Sequence, residues 1–570
     1  MHTECTQTSF GFHPLGRRQV VAQFDGGDIS SDGGGWLLRE VENRTGIVRR
    51  LAACFVDHRA EERIEHTVDE LVSQRVFGLA RGYEDLHDPD PLRSDPLRTV
   101  LVGKPDPQGK RRRREADCGK ALAGKSTLNR LELTPAQATA EDRYKKIEMN
   151  PEAIDRLLVE VFLQAHREAP SQIVLDLDAT DDPLHGNQEG RFFHGYYQEY
   201  CYLPLYIFCG EFVLCARLRP SNLDASAGAV EELERIVGQI RAVWPEVQIV
   251  IRADSGFCRE AILAWCEPHR VDYVIGLAKN QRLRRIVGAA MHQAKRQWKQ
   301  TGQPARVFTE FAYRTRKSWS RKRRVVGKAE VLEKGENPRF VVTSLPEAVW
   351  AAQRLYEELY CGRGEMENRI KEQQLYLFAD RTSTAYLRSN QLRLYFSSVA
   401  YLLLQALRRW GLPGTEMARA QCHTIRLKLL KIGAQIRITV RQVWVSLSGS
   451  YPYVGLFTQV WAHLQRVPVM RCGGSTRNAS RDVLLPPLPG QPAVPGGGVG
   501  QAGRTNRSPL PQRRHGPLPS HPGAKNGHAF HRPNPITLVS VPHSLLPNCG
   551  EKCGLTTERK ERWRADIAGE

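Results

Sequence analysis

The sequence has no CxxC pair, no apolar run approaching the ~20 residues that a membrane span requires, and no surplus of acid. Its 13 cysteines sit singly, mostly in apolar or helical contexts such as Cys54, Cys201, Cys209, Cys215 and Cys422. That scatter excludes a disulfide framework and suits a reducing compartment. The nearest approach to a metal-ligand cluster is Cys258, Cys266 and His269, which lacks the paired short spacing of structural zinc, so zinc is not expected there. The first residues, MHTECTQTSFGFHPLGRR, contain no apolar signal segment. These absences together point to a soluble, cytoplasmic protein.

Positive charge is what the sequence has in excess. The formal net charge is +20, which favours a polyanionic partner. Residues 471–570 hold 14 Lys and Arg against 6 Asp and Glu, so the larger part of the surplus lies in the preceding chain. The same last hundred residues carry 14 of the 34 prolines and show neither a helical nor a strand period. A segment with so little apolar periodicity cannot offset its ordering entropy, so a disordered Pro/Gly/Arg-rich tail is expected. Such a tail, possessing the character of a read-through extension, is expected to be dispensable for activity and for melting behaviour.

Residues 1–150 read as mainly helical; in ERIEHTVDELVSQRVFGLARG, Ile64, Val68, Leu71, Val72 and Val76 form one stripe. From Ile173 the pattern becomes α/β. IVLDLDAT is a buried strand ending in acids, and GYYQEYCYLPLYIFCGEFVLCARLRP reads as two antiparallel strands joined near Gly210. Asn222 or Asp224 can cap the helix that follows, and VQIVIRADSGF is a second apolar strand ending in an acid. A helix and the strand VDYVIGLA come next. Residues of about 280–350 then interrupt with a basic, β-rich stretch. It reads either as a solvated surface hairpin or as a phosphate-tracking ribbon, in which Arg321, Lys322, Arg323 and Arg324 would meet phosphates and Trp319 and Tyr313 would stack on bases. Helix returns over 353–410, and residues 411–470 hold a further helix and strands. The expected divisions are 1–150, 151–410, 411–470 and 471–570.

The chemistry is carried by acids. LDLDAT and IRADSG each end an apolar strand in an Asp followed by small residues. A carboxylate at a buried strand end is costly unless a cation or hydrogen bonds compensate it. Two such ends and a later helical Glu would meet the needs of two-metal phosphoryl transfer, which uses few protein oxygens and leaves positions for water and phosphate. In YCGRGEMENRIKEQQ, Tyr360, Arg363, Glu367 and Lys371 fall along one helical stripe, an acid flanked by two cations and a phenol. The alternative for that stripe is an ordinary surface ion-pair ladder, worth a few tenths of a kcal/mol per pair.

These motifs resemble those of bacterial insertion-sequence transposases of the DDE type, close to the insertion-sequence family numbered thirteen-eighty. LDLDATDDPLHG, IRADSGFCRE and YCGRGEMENRIKEQQL look like that family's three acidic motifs. GYEDLHDPDPLRSDP, STLNRLE, NQLRLYFSSVAYLLLQALRR and CHTIRLKLLKIGA look like its other blocks, so the likeness spans roughly residues 10–470. The resemblance implies an RNase H-like mixed sheet with flanking helices, a β-rich insertion and a helical N-terminal DNA-binding region. It implies the triad Asp178, Asp254 and Glu367 holding two Mg²⁺ or Mn²⁺ ions, with Asp176 the competitor for the first place and Asp181 or Asp182 assisting. Related transposases carry Tyr-x2-Arg-x3-Glu-x6-Lys; Tyr360, Arg363 and Glu367 match it, but residue 374 is Gln, and Lys371 is the substitute phosphate contact. The implied partners are DNA, as terminal inverted repeats and as target, and a second copy of the chain in a dimeric DNA complex, with no membrane and no nucleotide cofactor. The protein would associate with the nucleoid when bound to DNA.

Two other readings compete. GKALAGKS, Gly119 to Ser126, satisfies the phosphate-loop pattern, but RRRREAD precedes it where a buried strand is required. A transposase relic that still binds DNA but no longer cuts it would share every motif except function.

Overall fold

In the computed structural model, described for residues 9–84, 90 and 92–468, the protein is a mixed α/β structure built on a nine-stranded sheet. Its main strands are β1 (Gln172–Ala179), β2 (Leu205–Cys209), β3 (Phe212–Arg217), β4 (Gln248–Ala253), β5 (Val271–Gly276), β6 (Ala305–Tyr313), β7 (Arg323–Leu332) and β8 (Arg339–Thr343). They lie in the order β3-β2-β1-β4-β5-β8-β7-β6. The β1–β4 and β4–β5 pairs are parallel, and all other neighbours along this order are antiparallel. Near-continuous runs of Ile, Val and Leu suit the three central strands, which are buried on both faces.

The two faces of these strands have different fates. Leu175 and Leu177 of β1, Ile249 and Ile251 of β4, and Tyr273 and Ile275 of β5 point into the large core. That core also takes up the helices α1 (Val68–Ala80), α2 (Pro151–Gln164), α3 (Ala229–Val243) and the long α7 (Leu387–Gly411). The alternate residues Val250, Val274, Val326 and Val341 face a second, smaller core closed by Leu355, Tyr356 and Leu359. Because side chains alternate with period two, Asp176 and Asp178 belong to this second face. The helical segment that covers it leads directly into α6 (Gly364–Leu377), which carries Glu367. The fold therefore delivers the last acid to the face that holds the first.

Several local expectations meet the structure differently. The antiparallel pair joined at Gly210 is present as β2 and β3, with Gly210 at φ +55° in the turn. GYYQEYCY, however, forms a separate hairpin of Phe192–His194 and Glu199–Tyr202. Asp224 caps a turn through the Ser226 amide, at 3.0 Å, and α3 starts later, at Ala229, after Gly228. Residues 281–301 are helical, as α4 (Gln281–Ile286) and α5 (Gly288–Thr301), because Leu283, Val287, Met291 and Ala294 recur at helical spacing and are buried. Only then does the chain form the β6–β7 hairpin, which extends the central sheet instead of standing in solvent. Residues 411–470 contribute Ala434–Ile438 and Val443–Leu447, paired with Ile29–Ser30, and a closing helix, Val454–Gln465. The tail, 471–570, lies outside the described residues. Among the described residues no helix is long and apolar enough to cross a membrane.

Candidate active site

Strand register brings the two Asp motifs together. Parallel pairing sets Ala253 of β4 opposite Leu177 of β1 and Ile275 of β5 opposite Ala253. One step further along the chain, Asp178, Asp254 and Gly276 therefore come level at the ends of three adjacent strands, spaced by roughly 4.8 Å each. Asp254 leaves the strand and accepts the Gly256 amide at 2.8 Å, opening the short helical turn Ser255–Phe257. Gly276 leaves a gap that the Tyr360 phenol fills: a Cβ there would stand 2.6 Å from Tyr360 Oη and 3.0 Å from the Ser255 nitrogen.

The third motif arrives on a helix whose pitch changes. Leu355–Tyr360 is a π-helix, Cys361–Arg363 a 3-10 turn, and α6 begins at Gly364. Such pitch changes recur at functional sites. Here they keep Tyr360 over β5 while turning Arg363 and Glu367 toward β1. Arg363 Nη2 meets Glu367 Oε1 at 2.5 Å, and Nη1 reaches Asp178 Oδ2 at 3.5 Å. An exposed ladder would have left Arg363 in water, whereas this guanidinium is 22% exposed and bridges two motifs 185 residues apart.

The electrostatics are those of a site that wants a cation. Burial pushes the Asp178 carboxyl up to about 7; the negative charge of Asp254 and Glu367 adds to that rise, and Arg363 opposes it. Burial raises the Tyr360 phenol, with Asp254 adding and Arg363 opposing. Burial also draws the Lys371 ammonium below its usual range, against the pull of Glu367 one turn earlier. Among the described residues no three His, Cys, Asp or Glu side chains are grouped closely enough to hold one ion. Arg363 lies between the first and third acids and supplies the compensating charge. The donor type, hard carboxylate oxygens from Asp178, Asp254 and Glu367, is the one that Mg²⁺ and Mn²⁺ take.

Asp176, two residues back on the same face, has a different occupation. Arg252 Nε and Nη2 grip its carboxylate at 2.5 and 2.8 Å, and Arg252 Nη1 donates to the Leu359 carbonyl at 2.6 Å. One guanidinium thus ties β1, β4 and the segment leading to Glu367. Gln374, standing where related motifs have Lys, donates Nε2 to Asp182 Oδ1 at 3.0 Å and to the Asp181 carbonyl at 3.2 Å. Burial holds Asp182 well above the usual carboxylate range.

The basic hairpin is largely self-compensated. Arg323 is buried and bound to Glu260 and Glu267, at 2.7 and 2.9 Å. Arg324 bonds Glu310 and the Leu345 and Trp350 carbonyls. Trp319 is buried, with its ring edge-on to Tyr313 and under Arg323, so it presents no face to a base. Arg321 is 60% exposed while paired with Glu267 at 2.8 Å, and Lys322 is exposed. The charge run read uniformly in sequence because alternate in and out directions along β7 were not visible there.

Sequence reasoning also missed Gly276 and Arg252. A lone Gly closing VDYVIG and an Arg inside IVIRAD were the available signals, but each matters only through strand register. The competing motifs dissolve. The amide of Lys125, first residue of the helix Lys125–Glu132, donates to Asp90 Oδ1 at 2.9 Å, so a side chain of the protein already takes the place of a phosphate. His269 stacks on Trp265 and hydrogen-bonds its carbonyl at 2.6 Å, and Cys266 is buried.

A comparison with curated proteins finds no match. With the three acidic motifs on one edge of a mixed sheet, a family model described as transposase DDE domain group 1 matches residues 12–469. The chain belongs to this transposase family.

Proposed function

We propose that the protein is a cut-and-paste transposase of the insertion-sequence family numbered thirteen-eighty, binding the terminal inverted repeats of its own element and catalysing DNA cleavage and strand transfer. The observation that carries this reading is the level placement of Asp178 and Asp254 on parallel strands with Glu367 joined to Asp178 through Arg363. The order β3-β2-β1-β4-β5, one antiparallel flank followed by parallel strands, supports an RNase H-like core. The remainder of the sheet, β6 to β8, is the insertion before the last acid.

Asp178, Asp254 and Glu367 would hold two divalent ions, which when bound supply Lewis acidity to the attacking and departing oxygens of an in-line displacement. The chain's own groups do the rest. Arg363, at the residue before α6, and Lys371, two turns on within it, neutralise phosphate oxygens of the strand laid across the acids, as do Arg321 and Lys322 farther along the duplex. The Tyr360 phenol, seated over Gly276, donates a hydrogen bond at the same edge. Arg252 fixes the separation of the strands so that attacking group and phosphate are held in line. Two copies bring the two element ends together. Residues 1–150 supply further DNA contacts, and 411–470 buttress the core.

The test is a supercoiled plasmid carrying the element's ends, incubated with the purified chain and Mg²⁺ or Mn²⁺. Metal-dependent breaks at the ends are expected, and Asp254→Asn and Glu367→Gln should abolish them while sparing end binding. Binding by the wild type without breaks would make the protein a DNA-binding relic; retained cleavage in either variant would remove that acid from the triad.

A further inference from the structure

Four aromatic rings lie exposed within nine residues, 192–200, in the segment that follows the first acid. Phe192, Phe193, Tyr196 and Tyr200 belong to the hairpin of Phe192–His194 and Glu199–Tyr202, and Tyr196 at its turn is 84% exposed. Phe193 and Tyr200 are directly opposed across the strands with ring centroids 5.5 Å apart. The Arg191 guanidinium covers the Tyr200 ring at 3.7 Å. Phe193 and Tyr200 share one face of the hairpin, with Phe192 on the other, and exposed aromatic surface of this kind marks a place where something binds.

The hairpin is held rigidly from below. Cys201 and Tyr202 are fully buried, and Tyr202 Oη donates to the Glu189 carbonyl at 2.5 Å. Ser221 Oγ donates to the Phe192 carbonyl at 2.9 Å, the Leu184 amide to the Tyr200 carbonyl at 2.8 Å, and the Glu189 amide to the Ala385 carbonyl at 2.8 Å. Its third strand is Asp182–Pro183, four residues past Asp178. That pairing ties the hairpin to the segment by which the chain leaves β1 just past the first acid. A rigid rack of exposed rings therefore stands beside the candidate catalytic edge.

We infer that this hairpin is a stacking platform for unpaired nucleobases next to the scissile phosphate, with Phe193 and Tyr196 offering ring faces and Arg191, laid on the Tyr200 ring, offering a planar cation. The inference rests on the DNA-cleaving reading above: a strand whose phosphate lies against Asp178 and Asp254 passes the hairpin within a few nucleotides. Unpaired bases are the occupant that fits, because aromatic faces accept any base and each stacked base is worth roughly 1–3 kcal/mol. A duplex, whose base faces are already stacked, offers no such contact.

The full-length chain and its Phe193→Ala/Tyr196→Ala variant are titrated with two probes, a blunt duplex and the same duplex ending in a short single-stranded extension that carries 2-aminopurine. The wild type should prefer the extended probe and quench its fluorescence. The Ala pair should lose roughly 5- to 100-fold of affinity for the extension, as stacking energies convert, lose the quenching, and keep its melting temperature and blunt-duplex affinity. Phe193→Trp/Tyr196→Trp should retain both signals. The proposal is overturned if the Ala pair keeps preference and quenching, if both probes weaken alike, or if the variant changes oligomeric state without DNA, which would make a second copy the occupant. A wild type that binds the blunt duplex without preferring the extension sinks the platform alone; one that binds neither probe sinks the transposase reading with it.

Discussion

Replacing Gly276 by Ala tests the site where it is tightest. The added Cβ would meet Tyr360 Oη at 2.6 Å, the Ser255 nitrogen at 3.0 Å and the Asp254 carbonyl carbon at 3.2 Å. Ordinary contact begins at 3.4 Å, so the phenol or the strand end must yield by roughly 0.8 Å. Overpacking of this kind costs about 1–3 kcal/mol of stability. A displacement near 1 Å beside reacting groups costs on the order of 10²-fold in rate, because Asp254 and the Tyr360–Arg363 segment border the new methyl. The assays are metal-dependent nicking of plasmid carrying the element's ends and thermal unfolding, on wild type, Gly276→Ala, Tyr360→Phe and the double variant. Tyr360→Phe removes the closest atom and leaves 3.0 Å as the tightest approach, so Gly276→Ala should slow nicking far less in the Phe background than in the wild type. Wild-type nicking and melting in Gly276→Ala, or equal slowing in both backgrounds, would refute the packing argument.

Arg252→Met should destabilise the protein by about 3–5 kcal/mol in chemical denaturation, because it strands buried Asp176, and adding Asp176→Leu should recover most of the loss. His66 is buried between Lys104 and Arg112, and burial together with those cations pulls its imidazole down to about 2. Below its ordinary value of 6.5 the unfolded chain takes a proton that the folded one refuses. Stability should therefore fall with pH through that range, at up to about 1.4 kcal/mol per unit, and His66→Gln should flatten the melting profile. Removing Arg321 or Lys322 should each reduce the salt dependence of DNA affinity by about one in log–log slope. Arg323→Ala should instead lower the melting temperature, since it abandons Glu260 and Glu267.

What could be read from the sequence were features that local pattern dictates. An apolar strand ending in Asp and small residues announces itself twice, and the spacing of Arg363, Glu367 and Lys371 declares a helix face. The Ile and Val runs marked the central strands as apolar and buried, but not how they pair. Features set by pairing across long separations could not be read. Arg252 looks like any basic residue until register sets it opposite Asp176, and Gly276 looks like a strand stop until Tyr360, far along the chain, arrives above it. The basic run 321–324 appeared uniform because composition carries no direction; alternation along β7 turned Arg323 inward. The aromatic hairpin was merged with β2 because both share the same residue types, and only the exposure of its rings separates them.

Arg252 has one last implication. Its three guanidinium nitrogens reach a neighbour of the first acid and the approach to the third, while its own strand ends in the second. Loosening any one of these pieces frees the grip on the others, so a half-assembled centre should be scarce at equilibrium. On the proposed DNA-cleaving reading, that all-or-none quality is a safeguard: a partly frayed copy goes silent before it can nick at random.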